Sequence, residues 1–345
     1  MSKERIPLTL ITGFLGSGKT TLLAELLRDP LLGDAVVLVN ELGEVPLDHH
    51  LLREVDEKTV ILDSGCVCCT IRTDLVDELR DLEVRVHRGE LPAFRRVVVE
   101  TTGLADPVPV LATLLSDPLL SAHYMADGVV TCVDAVNASL QAERQPEWTK
   151  QVVVADRIVL TKTDLAEADP VLAEALIRAR NPVAELIVGV GGDVPASRLI
   201  GLGVLAEDRR AEQVTAWLDA VNHGHGHAHE HDHDHDHHAG VHAIALRFDE
   251  PLDWTMFALW LAMLLQSRGD DVLRVKGLLD TGAEGPLVLH GVQHVIHPPT
   301  HLAAWPDEDH TSRIVLIVRG ISRTEVETSL RAFDRLAKPT SEILA

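Results

Sequence analysis

Through the first 221 residues, short apolar runs of strand length alternate with stretches whose apolar positions recur every three to four residues. That alternation predicts an α/β fold with a mainly parallel sheet. Strands are expected at residues 7–12, 35–39, 60–62, 97–100, 128–133, 157–161 and 186–188. The first helix follows the Gly-rich segment after residue 12. It carries Leu22, Leu23, Leu26 and Leu27 on one face, and Asp29-Pro30 ends it. A later helix opens at Asp169-Pro170, an N-cap followed by proline at the first helical position, and stops before Asn181-Pro182.

The pattern then breaks. Residues 223–238 hold nine histidines interleaved with Gly, Ala, Asp and Glu, and no apolar residue larger than alanine. Such a segment cannot build a core, so residues 222–240 are expected to form a disordered His-rich linker. It divides a first domain, residues 1–221, from a second, residues 241–345. The second domain opens with a strand over Val241–Phe248 and a helix capped by Asp253, with Phe257, Leu261, Leu264 and Leu265 inward. Strand-like runs follow at residues 272–279, 286–290, 293–297 and 313–318. A last helix begins at the capping box Ser322-Arg323-Thr324-Glu325. Short strands framed by two helices predict a small α+β domain with helices on one face of an antiparallel sheet.

Composition narrows the function classes. At 345 residues, with 46% hydrophobic and 24% charged residues, the chain has the make-up of a globular protein of two domains. The balance of 31 Lys and Arg against 53 Asp and Glu gives a formal charge of −22. That charge repels a polyanion, which argues against nucleic acid, and attracts metal cations. No apolar run approaches the roughly 20 residues of a membrane span, and no signal-peptide pattern precedes the first strand, so a cytoplasmic protein is expected. Four cysteines in so long a chain are not a disulfide framework. The sequence leaves homo-oligomerisation open.

The segment Gly13-Phe14-Leu15-Gly16-Ser17-Gly18-Lys19-Thr20 matches G-x-x-x-x-G-K-[ST], after an apolar strand and before a helix. The residues expected to bind nucleotide here are Gly13, Gly16, Ser17, Gly18, Lys19, Thr20 and Thr21. Backbone N–H groups would cradle phosphates, Lys19 would reach the β- and γ-phosphates, and the Thr20 hydroxyl would coordinate Mg²⁺. Glu100 ends a later strand, at the position for a Mg²⁺-associated acid, and Thr101-Thr102-Gly103 follows with hydroxyls and flexible backbone suited to the γ-phosphate. Lys19, Thr20 and Glu100 are therefore the catalytic candidates. At a later strand end stands Thr161-Lys162-Thr163-Asp164. An aspartate there accepts both the ring N–H and the exocyclic amine of guanine, which adenine does not offer, and the Lys162 stem can lie over the base. The usual pattern begins with Asn; here Thr161 replaces it.

Between the phosphate loop and Glu100 lies Cys66-Val67-Cys68-Cys69, three of the four cysteines in four residues. Thiolates suit Zn²⁺ and other soft or borderline cations. Three thiolates leave a tetrahedral site incomplete, and Glu41, Glu44, a histidine or water can complete it. An open position suits a carrier that exchanges its cargo. Cys132 lies inside an apolar strand and reads as core. The histidine tract reads as metal capture in preference to a passive linker, because imidazole beside carboxylate ligates zinc, nickel, copper or cobalt. His290, His294, His297 and His301 read as hydrogen-bonded structural groups, and His49-His50 carries no assignment.

Taken together, the phosphate loop, Asn40-Glu41-Leu42-Gly43-Glu44, Gly65-Cys66-Val67-Cys68-Cys69, Glu100-Thr101-Thr102-Gly103-Leu104-Ala105-Asp106-Pro107 and Thr161-Lys162-Thr163-Asp164 resemble the CobW family of metallochaperone GTPases. The resemblance extends to Leu273-Arg274-Val275-Lys276-Gly277 and His290-Gly291-Val292-Gln293. It implies a P-loop GTPase joined to a small C-terminal domain, with GTP/GDP and Mg²⁺, and delivery of Zn²⁺, or alternatively Co²⁺ or Fe²⁺, to a metal-requiring client protein. By position, Cys66, Cys68 and Cys69 match the family's metal-binding cysteines, and Glu41 and Glu44 its switch-region acids. Some members carry a further Glu immediately before the Asn-Glu pair, where this chain has Val39. The rival readings are a cobalt or iron insertion factor of the cobalamin or nitrile hydratase type, a non-catalytic metal store, and a P-loop kinase. Against the kinase stand the Thr161–Asp164 base motif and the lack of a lid for a second substrate. No residue evidently orients an attacking water, so slow intrinsic hydrolysis is expected.

Overall fold

The structure is a computed structural model describing residues 5–40, 59–62, 70–201, 240–306 and 308–337. It divides into two compact units, Met1–Arg209 and Arg210–Ala345.

The first unit is built on a parallel sheet of seven strands: β1 (Ile6–Gly13), β2 (Ala35–Asn40), β3 (Thr59–Leu62), β4 (Arg96–Glu100), β5 (Tyr124–Asp134), β6 (Arg157–Thr161) and β7 (Glu185–Gly189). Their order across the sheet is β3-β2-β4-β1-β5-β6-β7. Every neighbouring pair is parallel. The connections hold helices α1 (Lys19–Leu26), α2 (Thr70–His87), α3 (Val108–Ser116), α4 (Pro118–His123), α5 (Ala138–Arg144), α6 (Pro146–Val154) and α7 (Pro170–Arg180). Burial on both faces explains why the strands are near-continuous apolar runs. In β6, Val159 joins the layer holding Leu22, Leu23 and Leu26 of α1, while Ile158 and Leu160 join the opposite layer with Trp148, Val152 and Ile177. The α2 sequence places Leu75, Leu79 and Leu82 on one face, and all three are buried. Asp169 caps α7 as expected, accepting from the Leu172 N–H at 2.9 Å.

Among its described residues, the second unit is an antiparallel sheet with two helices. Its strands are β8 (Val241–Phe248), β9 (Val272–Leu279), β10 (Leu287–Val292), β11 (Val295–Ile296), β12 (Thr300–His301) and β13 (Ser312–Arg319). The order is β11-β10-β9-β13-β8, with β12 pairing to β10. Helices α8 (Trp254–Arg268) and α9 (Arg323–Ala337) share a core with Ile314, Leu316 and Val318 of β13. Trp260 of α8 is buried there, and its Nε1–H donates to Ser329 Oγ of α9 at 3.0 Å. The capping box closes α9 reciprocally: Glu325 N–H donates to Ser322 Oγ at 3.2 Å, and Ser322 N–H to Glu325 Oε2 at 2.7 Å. One expectation needs correcting. The run at 293–297 is not one strand, because Gln293 (φ 49°) and His294 form the two-residue turn between Val292 and Val295. Only Val295–Ile296 pair. Among the described residues, no helix is long and apolar enough to cross a membrane.

Candidate functional site

The sequence motifs meet at the carboxyl ends of β1, β4, β5 and β6. The chain leaves β1 towards β2 on one side and later returns to β5 on the other, so β1 lies at a topological switch point, where open parallel sheets bind ligands. Gly13 ends β1 at φ 140° beside Cys132, and a Cβ there would sit 2.3 Å from the Cys132 carbonyl oxygen. Only glycine lets the loop leave the sheet so closely. Gly16 and Gly18 also take left-handed φ values, 73° and 88°, and Gly18 immediately precedes α1. Backbone donors and a helix N-terminus are thereby gathered into one loop, as an anionic phosphate requires.

Around that loop the catalytic candidates converge. Lys19 is buried and its Nζ donates to the Phe14 carbonyl at 3.3 Å, folding the ammonium over the loop. The Thr20 hydroxyl donates to Glu100 Oε1 at 2.9 Å across 80 residues of sequence. Glu100 is 3% exposed. The β1–β4 register sets this contact by pairing Ile11 with Glu100. Ser17 Oγ is buried and has no partner among the described residues, so the loop carries a polar atom awaiting a ligand. A hydroxyl beside a carboxylate, with a lysine and a glycine-rich loop, fits a nucleoside triphosphate with Mg²⁺. Thr20 and Glu100 would hold the ion, which would supply charge neutralisation at the β- and γ-phosphates. Thr21 is exposed on the first turn of α1.

Beyond Glu100 the chain is tied down twice. Thr101 Oγ1 donates to Thr12 Oγ1 at 2.9 Å, and Gly103 presses on the phosphate loop so closely that a Cβ would lie 2.6 Å from Leu15 N. The segment expected to face a γ-phosphate therefore touches the phosphate loop directly.

The base motif has a clear division of labour. Thr161 is buried, and its hydroxyl reaches the Ser17 carbonyl at 2.8 Å and the Val133 carbonyl at 3.1 Å. Its role is to fasten the end of β6 to the phosphate loop. Lys162 stands in the left-handed region at φ 58°, and its Nζ pairs with Asp134 Oδ2 at 2.7 Å. Asp164 is exposed on the loop that follows, open to a base. Asp134, at the end of β5, is 1% exposed. Burial pushes its carboxyl up, but hydrogen bonds from Lys162, Asn137 and the Val136 N–H outweigh burial and hold it below the usual carboxylate range.

Cys132 is 1% exposed in the core beneath the loop. Burial pushes its thiol up to about 12, Lys19 opposing and Glu100 adding, so it is neutral at physiological pH. The metal candidates Cys66, Cys68, Cys69, Glu41 and Glu44 lie outside the described residues, as do His49, His50 and the histidine tract. Among the described residues no group of three His, Cys, Asp or Glu is placed to hold a metal ion. His294 pairs with Asp270 at 3.1 Å, His301 Nδ1 lies 3.2 Å from the Gly285 carbonyl, and His290 and His297 meet edge to face.

Residues 7–187 match the family model described as CobW/HypB/UreG, nucleotide-binding domain, and residues 241–334 match the one described as cobalamin synthesis protein cobW C-terminal domain. The chain belongs to the CobW family. Among its relatives in that family, the zinc chaperone YjiA of Escherichia coli is 34% identical over 93% of this chain and 96% of its own. The zinc chaperone CobW of a Sinorhizobium species is 31% identical over 60% of this chain and 65% of its own. Of solved structures, the Zn(II)-bound YjiA GTPase from E. coli superposes with a TM-score of 0.67 at 26% identity, covering 96% of this chain and 99% of that one. The CobW fold, a P-loop parallel-sheet unit followed by an antiparallel sheet with helices, is thus shared along nearly the whole chain.

Two site residues of this CobW chain escape a reading of motifs. Asp134 carries the same signal as Glu100, an acid closing an apolar strand, and that signal could have found it. Gln151 on α6, which donates to the Gly103 and Ala105 carbonyls, carried no signal, because its partners lie 48 and 46 residues away.

Proposed function

We propose that this chain is a GTP-hydrolysing metallochaperone that binds a transition metal, zinc before others, at Cys66-Val67-Cys68-Cys69 and passes it to a client protein under nucleotide control. The observation that carries the reading is the Thr20–Glu100 hydrogen bond, which joins the phosphate loop to the strand end opening into Thr101–Asp106. A nucleotide with Mg²⁺ would engage both residues, so the strand end registers what the loop holds. The cysteine cluster lies in the chain between these two elements, immediately before α2, where nucleotide state and metal affinity can be linked. Lys19 would stabilise the phosphates, Lys162 and Asp164 would hold and select guanine, and Thr161 would keep their strand end against the loop. Glu41 and Glu44 are assigned to the metal site with the three thiolates. The relatives' names speak for zinc; cobalt and iron have no comparable support. The division into residues 1–221, 222–240 and 241–345, and the cytoplasmic location, belong to the same proposal.

The test is anaerobic competition titration of Zn²⁺, Co²⁺ and Fe²⁺, with GDP and with a non-hydrolysable GTP analogue. It compares the chain lacking residues 223–238 with its Cys66→Ser/Cys68→Ser/Cys69→Ser variant. Zinc affinity should fall at least a hundredfold in the variant and should differ between nucleotides in the parent. Unchanged zinc affinity in the variant would overturn the site. Multiple-round GTP hydrolysis by the parent separates the chaperone from a metal store, which would show none.

A further inference from the structure

We propose that Gln151 is a positioning residue for nucleotide turnover, holding the loop after Glu100 in its resting arrangement until a γ-phosphate draws it away. The inference rests on the GTPase reading above and names how that site is regulated.

Gln151 is 1% exposed on α6, a helix packed against β1 and β5. Its Nε2 donates both amide hydrogens to one short segment, to the Gly103 and Ala105 carbonyls, each at 3.1 Å. Two carbonyl partners fix which end of the amide is nitrogen. Its own backbone carbonyl accepts from Thr131 Oγ1 at 2.8 Å, so the turn carrying Gln151 is anchored to β5 and does not follow the loop. The neighbouring Lys150 reaches the same segment from the surface, pairing with Asp106 at 3.1 Å. The loop is therefore gripped by α6 on one side while Gly103 presses on Leu15 of the phosphate loop on the other.

The amide oxygen explains why this grip is a switch and not simply a strut. Gln151 Oε1 is buried and has no partner among the described residues. A buried acceptor left unused on the same amide whose nitrogen grips the loop offers a second arrangement, in which the loop advances and one of its N–H groups takes the oxygen. In the arrangement described, Thr20 bonds Glu100 and Lys19 bonds Phe14, contacts that a bound triphosphate with Mg²⁺ would replace. Gln151 stabilises that resting state. The loop also leads to the metal segment. Asp106 Oδ1 accepts from the Val108 N–H at 3.0 Å and starts α3, α3 packs against α2, and α2 begins one residue after Cys69.

The test uses the full chain with Mg²⁺ and fluorescent GDP or a non-hydrolysable GTP analogue. Gln151→Met keeps length and apolar fill but removes both donors. It should leave GDP affinity within about twofold and raise analogue affinity relative to GDP about fivefold, the lower end of ordinary coupling between sites. A purely structural role would lower the melting temperature and weaken both nucleotides alike. An unshifted ratio in a variant melting like wild type overturns the inference. Hydrogen exchange on the wild type needs no substitution: a peptide covering residues 101–107 should exchange differently with GDP and with the analogue, and equal exchange counts against the latch. Wild type binding neither nucleotide would remove the GTPase reading, and this inference with it; normal wild-type binding with an unshifted Gln151→Met ratio removes the inference alone.

Discussion

At the scale of single residues, Asp164 and Asp134 do opposite things with the same side chain. Asp164 is exposed and, in the proposed function, would act by what it accepts from a base. Exchanging it for asparagine puts a donor where guanine's exocyclic amine also donates, whereas xanthine presents a carbonyl there. Asp164→Asn should therefore weaken GTP binding roughly tenfold to a hundredfold, the worth of a hydrogen bond to a charged group, and improve XTP binding. Competition binding with both nucleotides checks this, and equal losses for both would refute the base assignment. Asp134 is buried and works on Lys162. Its carboxyl is held below the usual range, so the folded state gains from it wherever the unfolded carboxyl, near about 3.9, is ionised. That gain is present above about pH 4 and is lost as pH falls through the lower folded value. Asp134→Asn should cost roughly 1–3 kcal/mol in urea unfolding at pH 7, with the gap to wild type narrowing as pH falls below about 4.

At the scale of elements, the site is an agreement between strand ends. Thr161 takes the position where the usual base motif has Asn, and its hydroxyl is spent on Ser17 and Val133 carbonyls. It holds β6 against the phosphate loop without itself reading the base. Thr161→Val keeps the shape and removes the donor. The loss should be about 1–3 kcal/mol of stability and about tenfold in affinity for GTP and GDP together, measured by thermal melting and nucleotide titration. A change confined to one nucleotide would show that Thr161 does more than fasten the strand. The second unit offers a simpler case. Ser322 both caps and is capped, so Ser322→Ala should destabilise that unit by about 1 kcal/mol, visible as a lowered urea midpoint, with nucleotide affinity unchanged.

At the scale of the whole molecule, the question is linkage. If the metal segment and the phosphate loop share one two-state element, the factor by which GTP changes zinc affinity must equal the factor by which zinc changes GTP affinity. Measuring both around one thermodynamic cycle should give equal factors of about 5 or more. A factor of one in both directions would mean two independent sites on one chain. The acidity of the chain bears on the same experiment, because a charge of −22 attracts divalent cations non-specifically. The cycle should hold at raised salt, where that background is screened.

The sequence by itself determined the elements and most of the chemistry, because both are written locally. Strands of apolar runs, the Asp169 and Ser322 caps, and the contiguous phosphate-loop and base motifs are set by neighbours within a few residues. The strands and caps appear close to where the pattern placed them, apart from the turn at Gln293, the earlier start of β5 at Tyr124 and the short β12. What only the tertiary structure decided is which of these local pieces touch. The sheet order puts β4 beside β1 although β2 and β3 intervene in the chain, and that adjacency alone brings Glu100 to Thr20. Likewise Asp134 meets Lys162 and Gln151 meets Gly103 only because parallel strands and their covering helices are stacked in this order. A hydrogen bond between residues 28 to 80 apart leaves no periodic mark on either segment. The chain therefore announces its ligands by motif, and the fold decides which side chains respond to them.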